Sequence, residues 1–306
     1  MKKSLCVIAA VLMVLGAALI LTAFLRVDFD LEKLNGAVYT SDGGTIGGEI
    51  DAVSVVLIDA DLRFIEAKAG EAEISVCTTT KTPVTWNLKD GLLTVRQTDE
   101  RKWYEKIGIF STRQETVTLA LPEKAYTFLI AELLNGEITL DSSSSFSILK
   151  AKAVNGKIEL RGRADDIQAV TVNGGITSSI AFGTARDRLE VPGRFSAETV
   201  NGHIIETAMA MENELKTTNG EIHISGMNTD AVTTVKTTNG RVKMDNLYAA
   251  EVRIETTNGD VTGTIQKGMD YRVTTTNGVV SLPEETGENP FIVKTVNGDV
   301  RITIGK

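Results

Sequence analysis

Two cysteines, two histidines and five prolines are few for a chain of 306 residues, and aromatic side chains make up only 5% of it. Each scarcity excludes something. Cys6 lies in an apolar N-terminal stretch and Cys77 in the body, so no disulfide framework holds one chain together. Cys77, in the β-like run Ile74–Thr79, reads as a small buried apolar residue. Five prolines against 27 glycines, without a G-X-Y period, exclude collagen. Positive charge is also short. Beyond residue 26, 29 Lys and Arg face 40 Asp and Glu, a net charge of −11. Such a body repels phosphate, so no nucleic acid is expected as a partner. A hydrophobic share of 42% with mixed charge excludes a disordered chain.

Catalytic signatures are missing too. There is no nucleophile elbow, no H-E-x-x-H, no P-loop and no EF-hand or RTX calcium repeat, so the chain reads as a non-enzyme without cofactor. His203, His223 and Glu221 fall close enough in the repeat described below to meet. They lack a fourth ligand, and a solvated His–Glu contact is the simpler reading, so no metal is expected.

What is present begins at the N-terminus. After Met1-Lys2-Lys3, the 22 residues Ser4–Leu25 carry no charge, and Arg26 closes the run. That length spans a bilayer core of about 30 Å as a helix. A cleaved signal peptide would have a shorter apolar region and a small-x-small site, which Leu21–Arg26 does not offer. Residues 1–26 are therefore expected to be an uncleaved, single-pass anchor in the cell membrane. Lys2 and Lys3 place the N-terminus in the cytoplasm and the remainder outside. Residues 27–50, with Gly43-Gly44 and Gly47-Gly48, read as a flexible stalk.

An internal repeat dominates the rest. Asn-Gly recurs as Asn135-Gly136, Asn155-Gly156, Asn173-Gly174, Asn201-Gly202, Asn219-Gly220, Asn239-Gly240, Asn258-Gly259, Asn277-Gly278 and Asn297-Gly298. The spacings are 20, 18, 28, 18, 20, 19, 19 and 20 residues, the long one holding an insertion around 182–194. Four residues before the Asn stands an apolar residue, from Ala131 to Val293. Two before it stands mostly Thr, as in Thr171, Thr217 and Thr295. Three after it stands Ile or Val, from Ile138 to Val300. Alternation with period two on both sides of a turn means β-strands with one buried face.

Hairpins and a β-solenoid can both use this module. Hairpin pairing would set Lys236 opposite Lys243 and Lys294 opposite Arg301. Stacked coils set Glu132 by Lys152, Glu198 by Lys216 and Lys236 by Glu255, with Lys216 by Lys236 an exception. Opposite charges favour stacking, as do Thr and Asn columns that can hydrogen-bond from coil to coil. The expected fold is all-β: a single-stranded β-solenoid of about nine coils over residues 131–306, capped by a β region over 51–130. In the cap, Asp90-Gly91 reads as a hairpin turn. The nine Asn-Gly pairs read as structural turns, with Asn tolerant of left-handed φ.

The Asn-Gly coils, the run Val117–Pro122 before them and the basic-apolar N-terminus together resemble the bacterial putative adhesins with β-strand repeats. These are similar to the LiaG-like envelope proteins, a domain of unknown function. The resemblance spans Val53 to the C-terminus. It implies a right-handed β-helical solenoid on one membrane anchor, often linked with envelope stress, and no catalytic residues. The irregular coil after Asn173 departs from its pattern.

The function expected is that of a non-catalytic cell-envelope interaction or scaffold protein. Its partner would be an envelope protein or a cell-wall component, and charge tilts the choice toward protein. The alternative is a carbohydrate-active solenoid. Against it, the acidic doublets Asp165-Asp166 and Glu284-Glu285 read as solvated turns, and the aromatic residues of the coils form no continuous column. A third expectation is self-association through the outer edge of a terminal coil, Phe291–Ile304.

Overall fold

The structure, a computed structural model, describes residues 21–22, 25–26, 38–68, 70–102, 114–182, 193–207, 210–227 and 229–305. Most of the expected anchor and the insertion at 183–192 lie outside the described residues. Residues 21, 22, 25 and 26 are helical and exposed. Among the described residues no helix is long and apolar enough to cross a membrane.

The body is all β. Its first part comprises β1 (Tyr39–Ile46), β2 (Ala52–Glu66), β3 (Ala72–Thr79), β4 (Val84–Lys89), β5 (Leu92–Gln97) and β6 (Glu115–Leu121). The repeat follows as β7 (Ala125–Asn135), β8 (Ile138–Asn155), β9 (Ile158–Asn173), β10 (Ile176–Phe182), β11 (Arg194–Asn201) and β12 (Ile204–Glu206). It continues through β13 (Glu212–Asn219), β14 (Ile222–Met227), β15 (Val232–Thr237), β16 (Val242–Tyr248) and β17 (Glu251–Thr256). The last strands are β18 (Val261–Ile265), β19 (Met269–Asn277), β20 (Val280–Ser281), β21 (Thr286–Asn297) and β22 (Val300–Ile304).

Coils stack in parallel, not as hairpins. Asn135 pairs with Asn155, Asn155 with Asn173, Asn173 with Asn201 and Asn201 with Asn219. Strands before the Asn form one ribbon and strands after it a second. The columns four before and three after close the core between them: Ala131, Ala151, Ala169, Leu215 and Val235 from one side, Ile138, Ile158, Ile176, Ile222 and Val242 from the other, all essentially without solvent contact. Burying one such branched side chain contributes about 1.5–3 kcal/mol, and the Ile and Val column three after the Asn repeats it coil after coil. The expected ion pairs Glu132–Lys152 (3.6 Å) and Lys236–Glu255 (3.4 Å) form across coils. Lys216 instead pairs with Glu214 on its own strand.

The start of the stack lies earlier than the Asn-Gly pattern marks. Strand β2 is itself a coil: Val55 pairs with Ala131, Leu57 with Leu133, Asp59 with Asn135 and Leu62 with Ile138. β5 and β6 stack on β2 in parallel and make a coil before it. Parallel growth then stops. β4 pairs with β5 antiparallel through a turn with φ of 51° at Asp90 and 77° at Gly91, the expected hairpin. β3 pairs antiparallel with β6, and β1 with β3. A change of strand direction makes this end unlike the coil edges it covers. β1 also puts residues 39–46, expected as stalk, into the cap.

The far end departs from chain order. β17 pairs with β21 and β18 with β22, while β19 pairs with β21 and β20 with β22. The order of coils is therefore Asn258, Asn297, Asn277. The coil Phe291–Ile304 is interior, with Phe291, Val293 and Val300 fully buried. The open edge belongs to β19 and β20, where Val279 is 61% exposed. Self-association through an outer edge of Phe291–Ile304 thus loses its premise. Asp165-Asp166 is corrected too: the doublet sits within β9, not in a turn.

Candidate functional site

The nine Asn-Gly turns come together as one continuous corner of the solenoid. Each Asn Nδ2 donates to the Oδ1 of the Asn on the neighbouring coil, at 2.8–2.9 Å, from Asn155 on Asn135 through Asn258 on Asn239. Beyond these, Asn297 donates to Asn258 and Asn277 to Asn297. None of these asparagines has a positive φ. Their role is the ladder, not the left-handed turn that the sequence suggested.

The threonines two before the Asn build a second ladder inside the first. Thr171, Thr199, Thr217, Thr256 and Thr295 donate Oγ1 to the carbonyl of the preceding coil's Gly, at 3.0–3.4 Å. Thr275 does the same to Gly298. A polar group turned inward is thereby satisfied without water. The glycines are dictated by the same closeness. A Cβ on Gly156, Gly202, Gly220 or Gly240 would stand 1.8 Å from the carbonyl oxygen of the glycine one coil back. Of the nine, Gly136 alone has φ in the left-handed range, at 127°.

Where the ladder begins, Asp59 takes the place of Asn. Its Oδ1 accepts from Asn135 Nδ2 at 2.5 Å, and its other oxygen pairs with Arg101. Arg101 also holds Asp99 at 2.8 Å, and the two carboxylates keep its guanidinium above the ordinary arginine value. Behind Asp59, Gln97 Oε1 accepts the backbone N–H groups of Ile58 and Asp59 at 2.8 and 2.9 Å. Gln97 Nε2 and Thr82 Oγ1 each donate to buried Glu115 at 2.6 Å. Burial pushes the Glu115 carboxyl up, against the pull of those hydrogen bonds. This buried polar network closes the ladder's first end. Its recognisable signal is the spacing of Val55, Leu57, Leu62 and Phe64 about Asp59, which repeats the coil columns.

Beside the ladder runs an apolar stripe. The residue just before each Asn points outward: Leu134 is 47% exposed, Val154 39%, Val172 38% and Val200 38%. Ile58 precedes them on β2, and Thr218, Thr238 and Thr257 follow on later coils. The first coils thus carry exposed aliphatic side chains where the next three carry hydroxyls, and Val296, 42% exposed, returns the aliphatic type in the coil of Asn297. Ile58, Leu134, Val154 and Val172, with Val56, Val170 and the stems of Glu132 and Lys152, line a shallow groove of about 480 Å³. Contiguous exposed apolar surface of this kind marks interaction sites on soluble domains.

The histidines do not meet Glu221 in a metal site. A Cβ on Gly175 would stand 2.4 Å from the ring of His203, so that ring lies over the glycine. His223 Nε2 is 2.7 Å from Asp245, which Lys243 also reaches at 3.0 Å. These contacts keep the Asp245 carboxyl below its ordinary value, with Lys243 the larger cause. Among the described residues no three His, Cys, Asp or Glu side chains cluster as metal ligands would. Cys77 sits half-buried on β3 as a free thiol.

The Toastrack DUF4097 family profile matches residues 50–306. Among solved structures, the chain is similar to a putative adhesin from Bacteroides fragilis, with 7% identity over 87% of this chain and 97% of that one and a TM-score of 0.46. It is similar to a putative adhesin from Parabacteroides distasonis, with 12% identity, 88% and 98% coverage and a TM-score of 0.42. A putative lipid binding protein from the same species shows 11% identity, 86% and 97% coverage and a TM-score of 0.38. No curated protein matches the sequence.

Proposed function

From the premise that the chain belongs to the Toastrack DUF4097 family, we propose that it is a non-catalytic scaffold of the cell envelope that binds a protein partner. The observation that carries this reading is the aliphatic stripe Leu134–Val154–Val172–Val200. It lies along a hydrogen-bonded corner and leaves 38–47% of each side chain open to solvent. An apolar strip flanked by the Glu132–Lys152 pair suits a protein segment with aliphatic side chains. The net charge of −11 beyond residue 26 disfavours anionic wall polymers. Residues 4–25 supply the single-pass anchor in the cell membrane, with the N-terminus cytoplasmic and the solenoid outside.

The test has two arms. The purified chain is sedimented with isolated cell-wall sacculi at low and moderate salt, and it is expected to stay in solution. In parallel, membranes holding the chain are crosslinked, with Leu134, Val154 and Val172 either native or replaced by Ser. A crosslinked membrane protein that disappears in the triple variant supports the reading. Pelleting with sacculi at both salt concentrations, or crosslinking indifferent to the three substitutions, overturns it.

A further inference from the structure

Consecutive elements of a chain usually lie side by side, and here the coil of Asn277 does not follow that of Asn258. The coil of Asn297 stands between them, and its side chains account for the choice. Lys294 lies in register with Glu255 across β17 and β21, where Thr274 would bring no charge. Asp260 Oδ1 accepts the Asp299 backbone N–H at 2.9 Å, and Asp299 Oδ1 accepts the Val279 N–H at 2.7 Å on the other side. Phe291 fills the fully buried position in register with Val252, while Tyr271, its equivalent one coil out, is only half-buried. The slot between the coils of Asn258 and Asn277 thus recognises residues 286–304 by their side chains on both faces. Nothing in that recognition depends on which chain the residues belong to.

We propose that two copies of this chain interlock by exchanging residues 286–304, each copy filling the other's slot between the coils of Asn258 and Asn277. Every contact named above is preserved in the exchange, and only the connection Leu282–Glu285 changes course, as in other swapped assemblies. That connection contains Pro283 and has no strand structure. Its four residues reach at most about 14 Å when extended. The two copies therefore meet at their open Asn277 ends, the one end of the solenoid without an antiparallel cap. Closure within one chain is favoured by the short connection, so the interlocked form gains as chain concentration rises.

The experiment uses two full-length chains with different affinity tags, co-expressed. One carries Arg253→Cys and the other Ile292→Cys. These positions are register partners on the outer surface of β17 and β21, at a separation that a disulfide spans. A second co-expressed pair carries Lys236→Cys and Glu255→Cys, register partners on β15 and β17 that do not exchange. A single chain carrying both Arg253→Cys and Ile292→Cys reports whether the register forms. Disulfides are assigned by peptide mass, which separates them from Cys6 and Cys77. The expected result is a product of twice the chain mass holding both tags in the first pair and absent from the second. Disulfide only within the doubly substituted chain overturns the exchange. Equal linked product in both pairs reveals collision rather than interlocking and overturns it as well. No disulfide in the doubly substituted chain refutes the coil order itself.

Discussion

Gly220→Ala puts the reading of the repeat to its hardest test. A Cβ there would stand 1.8 Å from the Gly202 carbonyl oxygen, and real Cβ contacts essentially never fall below 3.0 Å. Relief needs the two coils to part at the corner by about 1.2 Å, the difference between those distances. Two hydrogen bonds cross the same gap: Asn219 Nδ2 to Asn201 Oδ1 at 2.9 Å, and Thr217 Oγ1 to Gly202 O at 3.1 Å. Both are lost at that separation, each costing about 1 kcal/mol. Overpacking against backbone adds about 1–3 kcal/mol. The expected loss is about 3–5 kcal/mol, a size that few single substitutions reach. Gly44→Ala on β1 is the comparison, since no atom lies within 4 Å of its added Cβ and its φ is not left-handed. There the change stays within about 1 kcal/mol and favours the folded state. Urea denaturation followed by far-UV circular dichroism measures both. Amide exchange at coils 202 and 220 registers local opening, because neighbouring coils of a solenoid can open separately. Equal stability of the two variants, within about 1 kcal/mol, would refute the close-approach account of the glycine column.

Other outcomes follow from the ladders and their buried end. Thr217→Val keeps the shape but removes the hydroxyl that reaches Gly202 O, so stability falls by about 1 kcal/mol with no change of fold by circular dichroism. Glu115 has its carboxyl raised in the folded state above the ordinary 4.5, chiefly by burial. Folding therefore takes up a proton, and stability rises as pH falls from above that raised value toward 4.5, then gains no more. Glu115→Gln removes this slope, which is read from urea midpoints measured between neutral pH and pH 4. An unchanged slope in the variant would assign it to another group.

Much of the fold is written in the sequence because the repeat prints it many times over. Columns such as Ala131–Ala151–Ala169 and Ile138–Ile158–Ile176 give strand, face and stacking direction together, and Lys236 beside Glu255 separates stacked coils from hairpins. What stays hidden is what repetition cannot encode. The coils of Asn277 and Asn297 carry the same columns, so either order gives the same pattern of buried and exposed positions. Only Lys294, Asp299 and Phe291 tell them apart. Asp59 hides for the opposite reason: its coil has Asp59-Ala60 where the others have Asn-Gly, although Val55, Leu57 and Leu62 keep the spacing. The Asn-Gly pair itself misleads, because its familiar use is a tight hairpin with positive φ. Here the same two residues answer to side-chain hydrogen bonding and to backbone contact.

Asp59 also has a consequence for direction. A carboxamide can point either way round, since its oxygen accepts and its nitrogen donates, and a ladder of asparagines alone could run in either sense. An ionised carboxylate only accepts. With Asp59 at the first rung, Asn135 must offer its Nδ2 there, and every later Asn must follow suit. The amide dipoles then align head to tail along the whole corner, their positive ends toward Asp59, as peptide dipoles do along a helix. The carboxylate sits at the pole that favours negative charge, and the opposite pole at Asn277 ends in a carbonyl oxygen that faces solvent. One acidic side chain thus gives a row of identical residues a sense, and makes the two ends of the corner chemically unlike.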